Sequence, residues 1–334
     1  MTRPRSRYLV RALRAAAREA VWLTCCRHEQ GDRPNILLFA TRRGGSTFAM
    51  ELIGANRGVR PMNQPLETQS DNLTLAQALE IPRFRQGQIT SLAGAEEERI
   101  ERLVHALFDG EVVINAPTTP WRRDVDIVSD RVVLKLLDSK PVIGWFDERF
   151  DADIVYLTRH PIPQSISCIR NGWTLTVDAH LDDREFVDRW LTAATLAAAH
   201  DVMSSGSELD SFVLNWILEN LAPLRLLPSH PDWLHVRYED CVLDPVGTFE
   251  RMADRLQLTD TERMREVLTR PSQSSRRSTA DTRQAIESGE REALVVGWRD
   301  RIDADVELRI NRLLETFEID PAVLLPADVA AAES

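Results

Sequence analysis

FATRRGGSTFAMEL, residues 39–52, closes the apolar run NILLFA and sets two arginines and two glycines directly before a helix-like segment. A glycine pair after a strand lets the backbone turn so that several N–H groups face one concavity. The Ser46-Thr47 that follows opens a helix whose positive end adds to the same field. Two readings fit this pattern, an ordinary helix N-cap or a cradle for a phosphate. The nucleoside-triphosphate form of such a cradle needs GxxxxGK[ST], and here the loop is shorter and has no lysine. The spacing argues against an ATPase, GTPase or P-loop kinase and leaves Arg43 to supply the charge.

Outward from this loop, strand-like runs recur at 111–115 (EVVIN), 131–137 (RVVLKLL), 153–158 (DIVYLT) and 233–237 (WLHVR), besides 35–40 itself. Helical periodicity falls between them, at 46–56, 96–108, 183–203, 208–222, 245–257 and 303–317. The alternation predicts an α/β fold, a single domain with a central parallel sheet flanked by helices. It spans 34–320, after a basic helical arm over 1–33 and before an acidic, alanine-rich tail over 321–334. Ligands of such sheets gather at the carboxyl ends of the strands. The stretches 57–95 and 270–292, rich in turn-forming and polar residues, read as long loops or covers.

Composition narrows the function classes. With 334 residues and 43% hydrophobic content the chain can bury a sizeable core, and its apolar runs, such as 20–26 (AVWLTCC), are too short to span a membrane. A net charge of −11 disfavours nucleic acid as a partner of the body. The arm is the exception, with eight arginines against Glu19, Glu29 and Asp32. Arg7, Arg11, Arg14 and Arg18 share one helical face and Leu9, Leu13, Ala16 and Ala20 another, which suits either peripheral contact with an anionic membrane or a packed leader helix. Four cysteines without paired spacing predict neither a disulfide framework nor a metal site and fit a reducing cytoplasm.

A second anion site is readable in DIVYLTRHPIPQSISCIRNGW, residues 153–173. Arg159 sits just past a strand, Pro161 suits a helix start, and Ser167 lies eight residues after the arginine. Such an arginine can grip a phosphate bidentately while the serine donates to it. A surface salt bridge for the one and a cap for the other would account for each residue singly.

Together these segments resemble the sulfotransferases that use 3'-phosphoadenosine 5'-phosphosulfate (PAPS) and release 3'-phosphoadenosine 5'-phosphate (PAP), a family with a P-loop-NTPase-like fold. Arg43-Gly44-Gly45-Ser46-Thr47 matches the family's 5'-phosphosulfate loop, and Arg159 with Ser167 matches its 3'-phosphate motif. WLHVRYEDCVLDPVGTFERMADRLQL, residues 233–258, is similar to its strand, Tyr-Glu-Asp and Asp-Pro helix. The likeness runs from about 35 to 318. It implies PAPS as sulfuryl donor, no metal, a place for Tyr238 near the adenine, for Phe48 in the pocket wall, and for Arg276 and Arg277 over the 3'-phosphate. Glu239, Asp240 and Asp244 are expected to fix turns and caps.

The expected reaction passes a sulfuryl group in line to an acceptor hydroxyl of a carbohydrate, glycolipid or other small metabolite, so the protein must neutralise the departing phosphate and position the nucleophile. Lys135, in an otherwise apolar strand, is expected either beside the transferring group or paired with Asp138. The acceptor side departs from the family pattern. Leu137 stands where some members carry a histidine base, and Gln64 where others carry a glutamate. Glu67 is the preferred base, with Asp138, His160 and His180 as further possibilities. A non-catalytic PAPS- or PAP-binding relative is the alternative. Trp121, Trp173 and Trp298 are within reach of the acceptor pocket as stacking surfaces, unless each is a core or loop anchor.

Overall fold

Runs of branched and aliphatic residues bounded by turns are buried on both faces when helices cover both sides of a sheet. In the computed structural model, which describes residues 13, 16–17, 19–67, 87–114, 126–268 and 291–325, two such runs are buried throughout, β2 (Asn35–Ala40) and β5 (Arg131–Leu136). With β3 (Val59–Asn63), β6 (Ala152–Thr158) and β7 (Leu234–Arg237) they form a five-stranded parallel sheet of order β3-β5-β2-β6-β7. A two-residue parallel pair, β1 (Arg27–His28) with β4 (Val128–Ser129), stands apart from it.

Helices cover both faces of the sheet. On one face Leu37, Phe39, Leu134, Leu136 and Tyr156 pack against Ile100, Val104 and Leu107 of α2 (Gly94–Phe108). On the other, Leu38, Val133, Val155 and Val236 meet Ala49, Leu52 and Ile53 of α1 (Ser46–Gly54) and Phe249 and Met252 of α7 (Pro245–Arg255). A third cluster joins α3 (Pro161–Arg170), α6 (Glu208–Leu226) and α8 (Ala304–Thr316) through Ile162, Val213, Ile217, Ile310 and Leu314. The α/β expectation holds.

The chain leaves β2 toward β3 on one side of the sheet and leaves β6 toward β7 on the other. The two neighbouring strands therefore part at their carboxyl ends, and the crevice so opened is where a doubly wound sheet binds ligands.

Three local expectations are corrected. The stretch 57–95 contains the strand β3, which its Pro61 concealed; β3 is an edge strand, where a missing N–H is tolerated. Residues 111–114 form no strand. The helix expected over 183–203 is two, α4 (Arg184–Trp190) and α5 (Ala193–Ser205), each with its own start: Asp183 caps the first, and a Thr192–Thr195 capping box opens the second.

Of the arm, residues 19–25 are helical, and Trp22 is buried with its ring 5.5 Å from the Arg60 guanidinium carbon. Arg7, Arg11, Arg14 and Arg18 lie outside the described residues, as do Arg276, Arg277, Trp121 and the tail from 326. Among the described residues no helix is long and apolar enough to cross a membrane.

Candidate functional site

The loop after β2 is built around two left-handed residues, Arg43 at φ 62° and Gly45 at φ 86°. Gly44 closes a turn by donating its N–H to the Thr41 carbonyl at 3.0 Å, and Gly45 takes the N-cap position of α1 without a side-chain cap. Gly45 has no side chain with which to cap the first amides of α1, which favours an anion at that end of the helix. Gly45 is also required sterically, since a Cβ there would lie 2.6 Å from the Tyr238 ring.

The loop after β6 meets this one directly. Arg43 Nε donates to Ser167 Oγ at 3.1 Å, and Arg159 Nη1 donates to the Arg43 carbonyl at 2.8 Å. The Arg159 guanidinium carbon stands 4.4 Å from the centroid of the Tyr238 ring, a cation–π distance, while its buried Nε has no hydrogen-bond partner among the described residues. Arg43, Gly45, Arg159, Ser167 and Tyr238 therefore converge on the crevice between β2 and β6. Ser46 is buried, and Phe48 packs partly buried against the core cluster under α1.

Lys135 lies one strand away. By sheet alternation its side chain shares the face of Val133 and Leu137, toward α1, and Nζ reaches Thr47 Oγ1 at 3.5 Å. It is only 3% exposed, and burial brings its pKa down to about 8, although Glu67, Glu51 and Asp138 hold it up. Among the described residues the alternative, a pairing of Lys135 with Asp138, is not made. Asp138 accepts instead from Arg42, at 3.0 Å from Nε, and Lys135 forms no ion pair among the described residues. Glu67 is raised above the ordinary carboxylate value by burial and then by Asp138, with Arg42 and Lys135 opposing. Burial draws the ammonium and the carboxylate toward mid-range pKa values while their mutual attraction opposes the shift, and a pair so tuned is the arrangement an acid–base site needs.

The other base candidates serve structure. His160 is buried, caps α3 through Nδ1 and stacks on Trp298; burial, with Arg299 and Arg159, takes its pKa down to about 3. His180 is fully buried, with Nδ1 on the Thr176 carbonyl. Glu239 accepts from the His160 amide at 3.0 Å, Asp240 pairs with Arg237, and Asp244 caps α7, the turn-fixing roles expected of them. Trp298 is core. Trp173 is 39% exposed, 5.1 Å from the Arg42 guanidinium carbon. Gln64, at φ 51°, donates its backbone N–H to the Lys135 carbonyl.

Sequence reasoning missed Arg42, which orders the site from beneath: Asp138 holds its head, and Gln164 of α3 donates to its carbonyl at 2.8 Å. Two adjacent arginines in a loop give no signal of which one faces inward. Among the described residues no group of three or more His, Cys, Asp or Glu side chains could hold a metal.

No family profile matches the chain, and no curated protein matches it. Among solved structures it is similar to mouse sulfotransferase SULT7A1 complexed with PAP, at 13% identity over 96% of this chain and 94% of that one, TM-score 0.43. It is also similar to the sulfotransferase domain from the Synechococcus PCC 7002 olefin synthase, at 19% identity over 88% and 99%, TM-score 0.41. A sulfotransferase from Alicyclobacillus acidocaldarius is a third likeness, at 14% identity over 90% and 100%, TM-score 0.41.

Proposed function

We propose that this protein is a sulfotransferase that moves the sulfuryl group of PAPS to an acceptor hydroxyl of a carbohydrate, glycolipid or other small metabolite. The observation that carries the reading is the contact between the two anion-binding loops, Arg43 with Ser167 and Arg159 with the Arg43 carbonyl. Two loops far apart in sequence, each suited to a phosphate, meet at one crevice, which supports a ligand with two separate phosphates. The residues fit that ligand: Arg159 Nε is buried with no partner among the described residues, and Gly45 at the N-cap of α1 offers no side chain to its first amides.

In this reading Arg43, the amides of Gly44 and Gly45 and the hydroxyls of Ser46 and Thr47 hold the 5' side. Arg159 and Ser167 hold the 3'-phosphate, with Tyr238 beside the adenine. Bound PAPS supplies an activated sulfuryl group on a phosphate leaving group. Lys135, anchored near Thr47, places its positive charge where the S–O bond to phosphate breaks and negative charge gathers. Glu67 takes the acceptor's proton as the new S–O bond forms. The acceptor oxygen gains sulfur, the phosphate oxygen keeps the electron pair, and the proton rests on the carboxylate. The roles expected of Arg276 and Arg277 lie outside the described residues.

Calorimetry with PAP and with adenosine 5'-phosphate tests the nucleotide site. PAP should bind at least about 30-fold more tightly, which corresponds to about 2 kcal/mol for a lost charge-assisted contact. Equal affinity for the two would overturn the assignment. Release of PAP from PAPS with an acceptor panel then separates an enzyme from a binder that has lost its base.

A further inference from the structure

Three polar side-chain atoms around Lys135 are buried and have no hydrogen-bond partner among the described residues: Asn63 Oδ1, Gln88 Oε1 and Ser139 Oγ. Asn63 is the cross-strand neighbour of Lys135 in the β3–β5 register. Gln88 is 2% exposed and donates from Nε2 to Asp138 Oδ1 at 3.4 Å, and the next amide, Ile89, donates to the Asp138 carbonyl at 2.8 Å. Ser139, 1% exposed, follows Asp138. All three thus adjoin the residues whose charges act on Glu67, namely Asp138, Arg42 and Lys135. The bond to a carboxylate fixes the orientation of the Gln88 amide, because its oxygen would be repelled there, so Oε1 is an acceptor in want of a donor. Native structures rarely leave such groups unmade, and a cluster of them beside a reacting centre points to a ligand.

We propose that Asn63, Gln88 and Ser139 form an acceptor-recognition subsite built for a hydroxyl-rich molecule, a sugar or polyol. The inference rests on the sulfotransferase reading and names the acceptor class for it. The two amide oxygens accept from neighbouring hydroxyls of the acceptor, and the Ser139 hydroxyl, which both donates and accepts, matches a third. A monohydric alcohol or a phenol would occupy the reacting position and leave these groups unsatisfied. Trp173, partly exposed beside Arg42, adds apolar surface of the kind that the C–H face of a sugar ring covers.

The test uses the full chain and a matched panel: glucose, myo-inositol and glycerol against cyclohexanol, phenol and cyclohexylamine, each with PAPS. A member of the first group should have the highest kcat/KM. For that acceptor, Gln88→Leu and Ser139→Ala should each raise KM about tenfold or more, while PAP affinity, which also reports folding, stays within twofold. Should Gln88→Leu fail to bind PAP, the smaller Ser139→Ala change carries the measurement. A phenol, simple alcohol or amine as best acceptor would overturn the proposal, as would unchanged KM in both variants. PAP binding without turnover of any panel member also counts against it, whereas loss of PAP binding in the wild type would instead sink the underlying nucleotide assignment.

Discussion

Arg43 Nε and Ser167 Oγ, 124 positions apart in the chain, stand 3.1 Å from each other, and the same arginine's carbonyl accepts from Arg159. One residue therefore joins both loops, through its side chain and through its backbone. Arg43→Ala and Arg159→Ala should each weaken PAP binding about 30-fold or more, and Ser167→Ala by about tenfold or less, since a neutral hydroxyl contributes about half of what a charged donor does. Calorimetry measures all three. Wild-type affinity in both arginine variants would remove the site.

Gly45 carries the narrowest steric tolerance in the loop. Its φ of 86° is costly for any residue with a Cβ, and that Cβ would meet the Tyr238 ring at 2.6 Å. Gly45→Ala should lower stability by about 1–3 kcal/mol and displace Tyr238, weakening PAP binding. A denaturant titration and calorimetry read the two effects; an unchanged midpoint with unchanged affinity would mean that the loop is not held as described.

Lys135 is retained in a place where burial works against its charge. Lys135→Met removes that cost and keeps the stem, so stability should stay level or rise by about 1 kcal/mol. Turnover should fall about 100-fold or more as the leaving phosphate loses its counter-charge. A large loss of stability with turnover to match would mark the lysine as structural.

The pH dependence follows from the same pair. Glu67 must be ionised to accept a proton, and its pKa is raised above 4.5 by burial, so the acid limb of kcat/KM should lie above that value. Lys135 loses its charge as pH rises through about 8, which sets the alkaline limb; because each charge acts on the other's titration, both limbs belong to the pair. The stability effect has the opposite sign. Between about 8 and the ordinary lysine value of 10.5 the unfolded chain binds the proton that the folded chain has released, so this group makes stability rise with pH there. Subtracting the profile of Lys135→Met from that of wild type isolates it. A kcat/KM flat from pH 7 to 9 would contradict the assignment.

The sheet's central strands, and the two loops that meet at the crevice, were legible because each carries a local signal: β2, β5 and β6 are apolar runs, and the loops directly follow β2 and β6. What escaped was decided by tertiary context. Edge position made Pro61 acceptable in β3, and burial against Asp138 separated Arg42 from Arg43. The acceptor side was least legible, since Asn63, Gln88 and Ser139 are scattered over three segments and only the β3–β5 register and the Asp138 contacts bring them to Lys135. The demotion of His160 and Trp298 likewise needed their mutual stacking, which no spacing announces.

Lys140, the chain's other lysine, supports the site from behind. It is fully buried, and Nζ donates to the Ala40 carbonyl at 3.2 Å, the Leu137 carbonyl at 2.6 Å and Glu219 Oε2 at 3.0 Å. These three bonds use all three ammonium donors. They tie the carboxyl end of β2, where the loop that carries Arg43 begins, to the segment just past β5 that continues into Asp138. Burial would push the Glu219 pKa up, but Lys140, and then Arg42, hold it below the ordinary value. Lys140→Met leaves that carboxylate buried without its hydrogen-bonded counter-charge and should cost about 3–5 kcal/mol in chemical denaturation. Adding Glu219→Met should restore part of the loss, because a buried pair replaced as a unit is far less damaging than one broken. The double variant's recovered stability should not bring back PAP affinity, since the strand ends are then no longer tied. Full recovery of both would show that the ion pair serves packing alone.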